Sequence, residues 1–139
     1  MNKKTAEEIR QKIYLGHWRP REVSLALEKL GEEVVFDALY GVFLDKSRGE
    51  RHFSDQEIAG KMLFELQPKI DRELKPLVRD CLENWNLSVE ELPFYFRDVF
   101  GKESLELVVN QIETSEVLTE YESRAIKTIR WWCGLEENA

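Results

Sequence analysis

Apolar residues recur every three to four positions along almost the whole chain, and this spacing limits its possible folds more than any other feature. Ile58, Met62 and Leu66 are each four residues apart, which places them on one face of an α-helix. No segment between turn residues alternates apolar and polar side chains for long enough to form a β-strand. The sequence therefore predicts an all-α fold.

Glycine and proline residues divide the periodic segments into about seven or eight helices. Gly31 and Gly101 lie where one helix stops and the next begins, and Pro68 ends the fourth helix. Pro76 falls inside the fifth periodic segment, so it indicates either a kink or a helix start near that residue. The first four predicted helices cover residues 5–15, 20–30, 32–44 and 55–66, and the fifth ends near residue 85. The sixth follows a turn at 89–92 and runs to residue 100, the seventh covers 102–113, and the eighth lies between 119 and 134.

Three helix starts carry the pattern of a capping box, a Ser or Thr followed three residues later by Glu. In this motif the hydroxyl accepts a hydrogen bond from the later residue's N–H, and the Glu carboxylate accepts one from the N–H of the cap residue. The three are Ser54 with Glu57, Ser88 with Glu91 and Thr119 with Glu122, and the first two are flanked by apolar staple pairs (Phe53 with Ile58, Leu87 with Leu92). Their spacing of 34 and 31 residues favours stacked helical hairpins.

The hairpins at 23–44 and 58–85 each combine a helix with a broad apolar stripe, a tight turn at Gly or Pro, and a longer second helix. They resemble units of HEAT-like helical repeats over most of residues 20–133. The resemblance implies protein binding or scaffolding on a concave face, with no shared catalytic residues.

We expect a single domain over residues 1–139 that forms either a short HEAT-like solenoid or a compact bundle of antiparallel hairpins. It has an N-terminal helix in 1–16, paired helices over 17–133 and a frayed tail at 134–139. The predicted pairs join the second helix with the third, the fourth with the fifth and the sixth with the seventh.

The net charge of −7 belongs wholly to the C-terminal half of the chain. Residues 1–69 carry 12 acidic and 12 basic side chains, whereas residues 70–139 carry 15 acidic and 8 basic ones. An acidic field repels phosphate backbones, because nucleic-acid binding depends on Lys and Arg. It attracts basic partners and speeds their encounter. We therefore expect a basic protein partner and no nucleic acid.

The sequence offers little for catalysis or cofactor binding. Its two histidines, His17 and His52, have no Cys or His at a metal-ligand spacing, and Cys81 and Cys133 form no CxxC motif. It contains no glycine-rich phosphate loop and no nucleophile elbow. We expect no cofactor, no metal and no enzymatic activity. The dispersed cysteines, the charged N-terminal segment and the lack of a membrane-length apolar run predict a cytoplasmic protein outside the membrane.

Aromatic residues near the acidic segment supply a second signal for protein binding. Phe94, Tyr95 and Phe96 cannot all face the core from one helix, and the adjacent Trp131 and Trp132 point about 100° apart. Trp and Tyr are frequent energetic hot spots of interfaces. We therefore predict an interaction surface on the last three helices, with anchors Tyr95, Phe96 and Trp131 and steering carboxylates Glu90, Glu91, Glu103, Glu106, Glu113 and Glu116.

This surface fits a non-enzymatic protein-interaction domain, and an immunity or inhibitor protein against a basic toxin is a specific form of it. The alternative is a small-ligand-binding or enzymatic helical domain. Its anion site would lie in the basic connectors at 17–21 or 46–52, near Arg19, Arg21, Arg48 or Arg51. A homo-oligomer formed through exposed aromatic side chains is a third hypothesis.

Overall fold

Eight α-helices and one short 3₁₀ turn make up the fold, with no strand, across the residues that the computed structural model describes, 2–16 and 20–136. The 3₁₀ turn at Gly49–Arg51 leads directly into the fourth helix. The predicted all-α fold is confirmed. The helices are α1 (Asn2–Tyr14), α2 (Pro20–Leu30), α3 (Glu32–Leu44), α4 (His52–Leu66), α5 (Leu74–Cys81), α6 (Glu91–Phe100), α7 (Lys102–Ser115) and α8 (Glu120–Cys133).

Two glycines connect successive helices through a single residue. Gly31, with φ of 93°, lies between α2 and α3, and Gly101, with φ of 97°, lies between α6 and α7. Because glycine adopts a positive φ without steric cost, the chain can change direction within one residue at both points. Pro76 is the third residue of α5, in the first turn, where its missing N–H costs no helical hydrogen bond. Of the two alternatives for Pro76, a helix start near that residue is confirmed.

The capping box is present at one of its three predicted positions. At the start of α8 the Thr119 hydroxyl accepts from the Glu122 N–H (3.1 Å), and the Glu122 carboxylate accepts from the Thr119 N–H (2.9 Å). The prediction is wrong at Ser54, because the 3₁₀ turn continues directly into α4 and the helix begins two residues earlier. It is also wrong at Ser88, whose N–H donates to the Asn86 side chain, while α6 begins only at Glu91.

α3 and α6 are the two helices around which the others pack. α3 contacts α1, α2, α4 and α5, and α6 contacts α4, α7 and α8. One apolar core runs through both groups. A helix that is apolar on most of its faces is typical of such a central position. Completely buried side chains of α3 are Val35, Phe36, Ala38, Leu39 and Phe43.

The helix pairing differs from the prediction at one pair. α2 contacts α3 and α6 contacts α7, as predicted. α4 and α5 do not pack side by side: α4 packs against α3 and α6, whereas α5 packs against α7 and α3. The non-helical connection at 67–73 carries the chain from one position to the other.

The residues just after α8 are fixed to the rest of the protein, although the sequence predicted a frayed tail from residue 134. Leu135 is buried, and its N–H donates to the Arg130 carbonyl. The Arg130 guanidinium in turn donates to the Glu136 carbonyl at 2.5 Å. A frayed tail therefore does not describe residues 134–136, and residues 137–139 lie outside the described ranges. The connector at 17–19 also lies outside the described ranges.

Candidate interaction surface

Of the three adjacent aromatic residues on α6, only Phe94 reaches the surface. Tyr95 and Phe96 are 0% and 1% exposed. The Tyr95 ring stacks on Phe36, and its hydroxyl donates to the Pro68 carbonyl at 2.5 Å. Since successive helical residues point about 100° apart, the same rotation that buries Tyr95 and Phe96 turns Phe94 outward. The predicted anchors Tyr95 and Phe96 are therefore core residues.

Phe94 belongs to a row of aromatic rings that crosses three helices. Its ring centroid lies 6.2 Å from Phe64 on α4 and 6.3 Å from Trp132 on α8. Trp132 lies 4.6 Å from Trp131. Phe64 is 39% exposed, and Phe94 and Trp132 are half-buried. We call Phe64, Phe94 and Trp132 the aromatic strip.

Two of the predicted carboxylates lie beside the aromatic strip. Glu90 and Glu91 precede Phe94 by four and three residues, so they lie one helical turn away on the same face of α6. Both are partly exposed. Asp98 lies one turn beyond Phe94 and accepts from the Arg97 guanidinium (2.9 Å), which itself lies over the Phe94 ring. The exposed face of α6 thus combines the Phe94 ring and the Arg97–Asp98 ion pair with two carboxylates, Glu90 and Glu91, that pair with no other described side chain.

The other predicted carboxylates do not extend this face. Glu113 pairs with Arg130 at 2.9 Å, and Glu116 pairs with Arg79 at 2.6 Å. Glu106 accepts from the Glu136 N–H at 3.3 Å. Glu103 is exposed in the first turn of α7. The single acidic face predicted over the last three helices is therefore reduced to Glu90 and Glu91, because internal partners use most of the remainder.

Arg79 joins three helices through the carboxylates that it binds. Its guanidinium contacts Glu116 after α7 and Glu122 at the start of α8 (2.7 Å). The pKa of Glu122 lies below its ordinary value, mainly because the carboxylate accepts the Thr119 backbone hydrogen bond and also because Arg79 lies beside it. These acidic groups hold the fold together and are not available to a partner.

Trp131 is exposed as predicted, but its surroundings are basic. The side chain is 74% exposed. Lys127 lies one turn before it on α8 and Arg124 about two turns before it, and both are exposed. Trp131 also borders a shallow groove with Lys127, Arg130, Gly134 and Leu135. Trp131 therefore has basic neighbours along α8, while its ring also contacts Trp132 of the aromatic strip.

In the connector at 46–52, one of the two predicted anion sites, two of the three cations form ion pairs with carboxylates of the protein itself. Lys46 pairs with Glu83 at 2.7 Å, and Arg48 pairs with Asp55 at 2.7 Å. The Arg48 guanidinium also lies 3.9 Å from the Tyr14 ring centroid. Arg51 is exposed. The connector at 17–21 lies mostly outside the described residues.

A polar cleft between α1, α3 and the start of α5 contains two arginines, both engaged by the protein. Arg10 donates to the carbonyls of Asp37 (2.8 Å) and Ala38 (3.1 Å). Arg72 pairs with Glu33 and Asp37, each at 2.7 Å. The cleft thus contains structural contacts rather than free cations.

The thiols and acidic groups give no reactive centre in the described part of the chain. Burial raises the pKa of Cys81 and brings that of Cys133 to about 11, so both are protonated at neutral pH and poor nucleophiles. Within residues 2–16 and 20–136, no three His, Cys, Asp or Glu side chains are grouped closely enough to hold a metal ion.

Comparison with protein-family models, curated proteins and solved structures finds no match to this chain. None of the helices in the described ranges has the length and apolar character needed to cross a membrane.

Phe64, Phe94 and Trp132 were not among the predicted site residues. Phe64 follows Gly60 by one turn on α4, outside the apolar stripe formed by Met62 and Leu63. Its position off that stripe is a sequence signal for an exposed ring. The meeting of Phe64 with Phe94 depends on the packing of α4 against α6, which helical periodicity alone does not specify.

Proposed function

We propose that this chain is a non-enzymatic protein-interaction domain that binds a basic protein through the aromatic strip. The observation that carries the proposal is the continuous row of ring contacts from Phe64 through Phe94 to Trp132, left partly exposed. Aromatic side chains supply large contact areas in interfaces, and Trp and Tyr are enriched among residues that dominate binding energy. A partner that covers this row would remove it from water.

The charge beside the strip supports a basic partner. Glu90 and Glu91 lie on the same face of α6 as Phe94, and the chain carries a net charge of −7. Opposite charges across an interface increase the association rate and disfavour acidic competitors. The expected partner surface is apolar at its centre and carries Lys or Arg where it meets the start of α6.

An immunity or inhibitor protein against a basic toxin is the specific form that we propose. A toxin that acts on nucleic acid needs a surface rich in Lys and Arg, which complements Glu90 and Glu91. Co-expression tests this form directly: this chain should restore growth to cells that make a toxic protein encoded beside it. Lack of protection by wild-type chain against the products of its neighbouring genes would contradict the immunity role.

The broader proposal is tested by affinity capture from a lysate of the native host at low salt and at about 0.5 M salt, where exposed charges are strongly screened. We expect wild-type chain to retain a basic protein at low salt and to lose most of it at high salt. Glu90→Lys with Glu91→Lys should abolish retention, and Phe94→Ser should reduce it about tenfold or more.

Glu103→Lys is the matched control, because Glu103 is an exposed Glu near a helix start but lies on α7. Each variant is first checked for wild-type helicity by circular dichroism. The proposal fails if no basic protein is retained at low salt. It also fails if Glu103→Lys reduces retention as strongly as the paired changes on α6.

A further inference from the structure

Three arginines among the described residues each lie over an aromatic ring and beside a carboxylate. The guanidinium carbon lies 3.9 Å to 5.1 Å from the ring centroid, and a guanidinium nitrogen lies 2.7 Å to 2.9 Å from the carboxylate oxygen. A guanidinium can make both contacts because it is planar, weakly hydrated and always charged. The three sites are Arg48 with Tyr14 and Asp55, Arg72 with Phe36, Glu33 and Asp37, and Arg97 with Phe94 and Asp98.

A fourth combination of rings and carboxylates lies where α4 packs against the start of α6. The two elements approach closely at Gly60, where an added Cβ atom would lie 3.3 Å from the Glu91 Cβ atom. Glu57 and Phe64 lie one turn before and one turn after Gly60, about 60° and 40° round the helix from it and on the same side. Phe64 meets Phe94 of α6. We call Glu57, Phe64, Glu91 and Phe94 the α4–α6 seam.

No described cation pairs with the carboxylates of the α4–α6 seam. Glu57 and Glu91 are both half-buried, and neither forms a hydrogen bond or ion pair with another described side chain. Arg97 lies over the Phe94 ring but pairs with Asp98. Lys61 of α4 lies about 100° round the helix from Gly60, further than Glu57. The seam therefore has the rings and carboxylates of the three arginine sites without a guanidinium.

We propose that the α4–α6 seam binds an arginine side chain of the basic partner. The guanidinium lies between Glu57 and Glu91, and the aliphatic part of the side chain lies against the Phe64 ring. Carboxylates from two helices can accept from two edges of one planar guanidinium, a geometry that an ammonium group lacks. This inference rests on the proposed function, because it names the residue type through which that partner is recognised.

The charges on α6 favour this position of the arginine over the opposite side of the aromatic strip. Glu91 and Arg97 lie about 60° to either side of Phe94 round the helix, with Glu91 on the side of α4. A cation of the partner meets opposite charge at Glu57 and Glu91, and like charge at Arg97. Charge complementarity thus orients the partner across the strip, with its arginine towards α4.

Titration of the full chain with capped tripeptides at low salt tests the site without the partner. The probe is acetyl-Leu-Arg-Leu-amide, and two matched peptides carry Lys or uncharged citrulline in place of Arg. The backbone amide signals of Phe64, Glu91 and Phe94 in two-dimensional NMR spectra report binding at the seam. We expect a dissociation constant of about 1 mM for the Arg peptide and at least about threefold more for the Lys peptide. The citrulline peptide should not saturate these signals.

Glu57→Gln removes a carboxylate that the sequence did not place on the candidate surface. We expect Glu57→Gln and Glu91→Gln each to raise the dissociation constant of the Arg peptide about threefold, and both together about tenfold. Glu65→Gln is the matched control, because Glu65 is exposed on α4 beside Phe64 but lies about 140° round the helix from Gly60. It should leave the constant unchanged. Circular dichroism checks that each variant keeps the helicity of wild type.

The proposal is overturned if the seam signals do not move with the Arg peptide up to about 20 mM, far above the expected dissociation constant. A Glu57→Gln effect no larger than that of Glu65→Gln would also overturn it, and so would a Lys peptide that binds as tightly as the Arg peptide. Failure of the proposed function looks different: no basic protein is retained from the lysate, although the Arg peptide binds the seam. A retained basic protein that is indifferent to Glu57→Lys would contradict the seam alone.

Discussion

Gly41 shows how a single missing atom can fix the relation between two helices. A Cβ atom at this position of α3 would lie 2.1 Å from the Nη2 atom of Arg10. Arg10 extends from α1 across the glycine and donates to the carbonyls of Asp37 and Ala38. The absence of a side chain at Gly41 therefore allows a charged group of α1 to bind the backbone of α3.

We expect Gly41→Ala to lower the free energy of unfolding by about 1–3 kcal/mol in a urea titration. Alanine favours a helix by roughly 1 kcal/mol over glycine. The added methyl group nevertheless displaces Arg10 from two hydrogen bonds. Because the flexible guanidinium can turn to water instead, we take their combined net loss as about 2–4 kcal/mol.

A double-mutant cycle with Arg10→Ala separates these two effects. Without the Arg10 side chain, Gly41→Ala should stabilise the protein by up to about 1 kcal/mol, because only the helix preference remains. The same effect of Gly41→Ala in both backgrounds would show that Arg10 does not restrict this position.

Gln56 is the buried polar residue that holds the connection between α5 and α6. Its side chain is 0% exposed, donates to the Asn84 carbonyl (2.8 Å) and accepts from the Asn86 N–H (2.7 Å). Gln56→Leu keeps a similar volume but leaves these backbone groups without this partner. We expect a loss of about 2–4 kcal/mol in the free energy of unfolding. Gln111→Leu, on the exposed face of α7, should change it by less than about 0.5 kcal/mol.

At this scale the sequence identified only part of the candidate surface. It placed Glu90, Glu91 and Trp131 where the structure leaves them partly or largely exposed. It could not decide which of Phe94, Tyr95 and Phe96 faces outward, because that depends on how α6 is rotated against α4 and α8. The ion pair between Glu113 and Arg130 could not be predicted either, because contacts between helices do not follow from the residue spacing within one helix.

At the scale of elements, the start of α8 is the one helix start, among those whose cap residues the structure describes, that has a side-chain capping box. The capping box of Thr119 and Glu122 satisfies two N–H groups that have no partner within the helix. Arg79 of α5 binds the same Glu122 carboxylate. The cap thereby connects the start of α8 to α5, which packs against α7.

Glu122 should make stability depend on pH in the acid range. Its folded-state pKa lies below its ordinary value of 4.5, so the unfolded chain takes up the proton first. The stabilisation is present above pH 4.5 and is lost as the pH falls through the folded-state pKa. We expect wild-type protein to lose stability from about pH 5 downwards.

Glu122→Gln isolates the charge, because Gln can still complete a capping box. It should cost about 1 kcal/mol at pH 7 and reduce the acid-range slope of stability against pH, measured by urea titrations from pH 7 to pH 3. Glu120→Gln is the control, as Glu120 is exposed in the same helical turn. An unchanged slope in Glu122→Gln would contradict the assigned pKa shift.

The sequence predicted most helix ends because glycine and proline act through the local backbone. Gly31, Gly101 and Gly134 follow α2, α6 and α8 as expected. The starts of α4 and α6 were less predictable. Asn86, before α6, is held by Gln56 of α4, a contact 30 residues away in sequence that capping patterns cannot include. Local rules therefore fail where tertiary contacts set the boundary.

At the scale of the whole molecule, the helix order in space is interleaved. α4 packs on α6 and α5 packs on α7, so α4 and α5 are neighbours in sequence that do not pack together, whereas α2 with α3 and α6 with α7 do. In a simple stack of hairpins each unit contacts only the adjacent units, and parts can unfold separately. Here the main helix contacts also join helices one or two places apart, but Phe36 of α3 stacks on Tyr95 of α6, three helices further along. A single apolar core therefore includes side chains from both halves of the chain.

We therefore expect the protein to unfold in one cooperative step. Helicity followed by circular dichroism and the fluorescence of tryptophan, which includes the completely buried Trp85, should give the same urea midpoint within error. Ile126→Ala, which removes a buried side chain of α8, should shift both midpoints together, by about 2–5 kcal/mol in stability. If the α8 substitution separated the two transitions, or if an α1–α3 fragment alone retained its helicity, the halves would be independent units and the interleaved packing would not couple them.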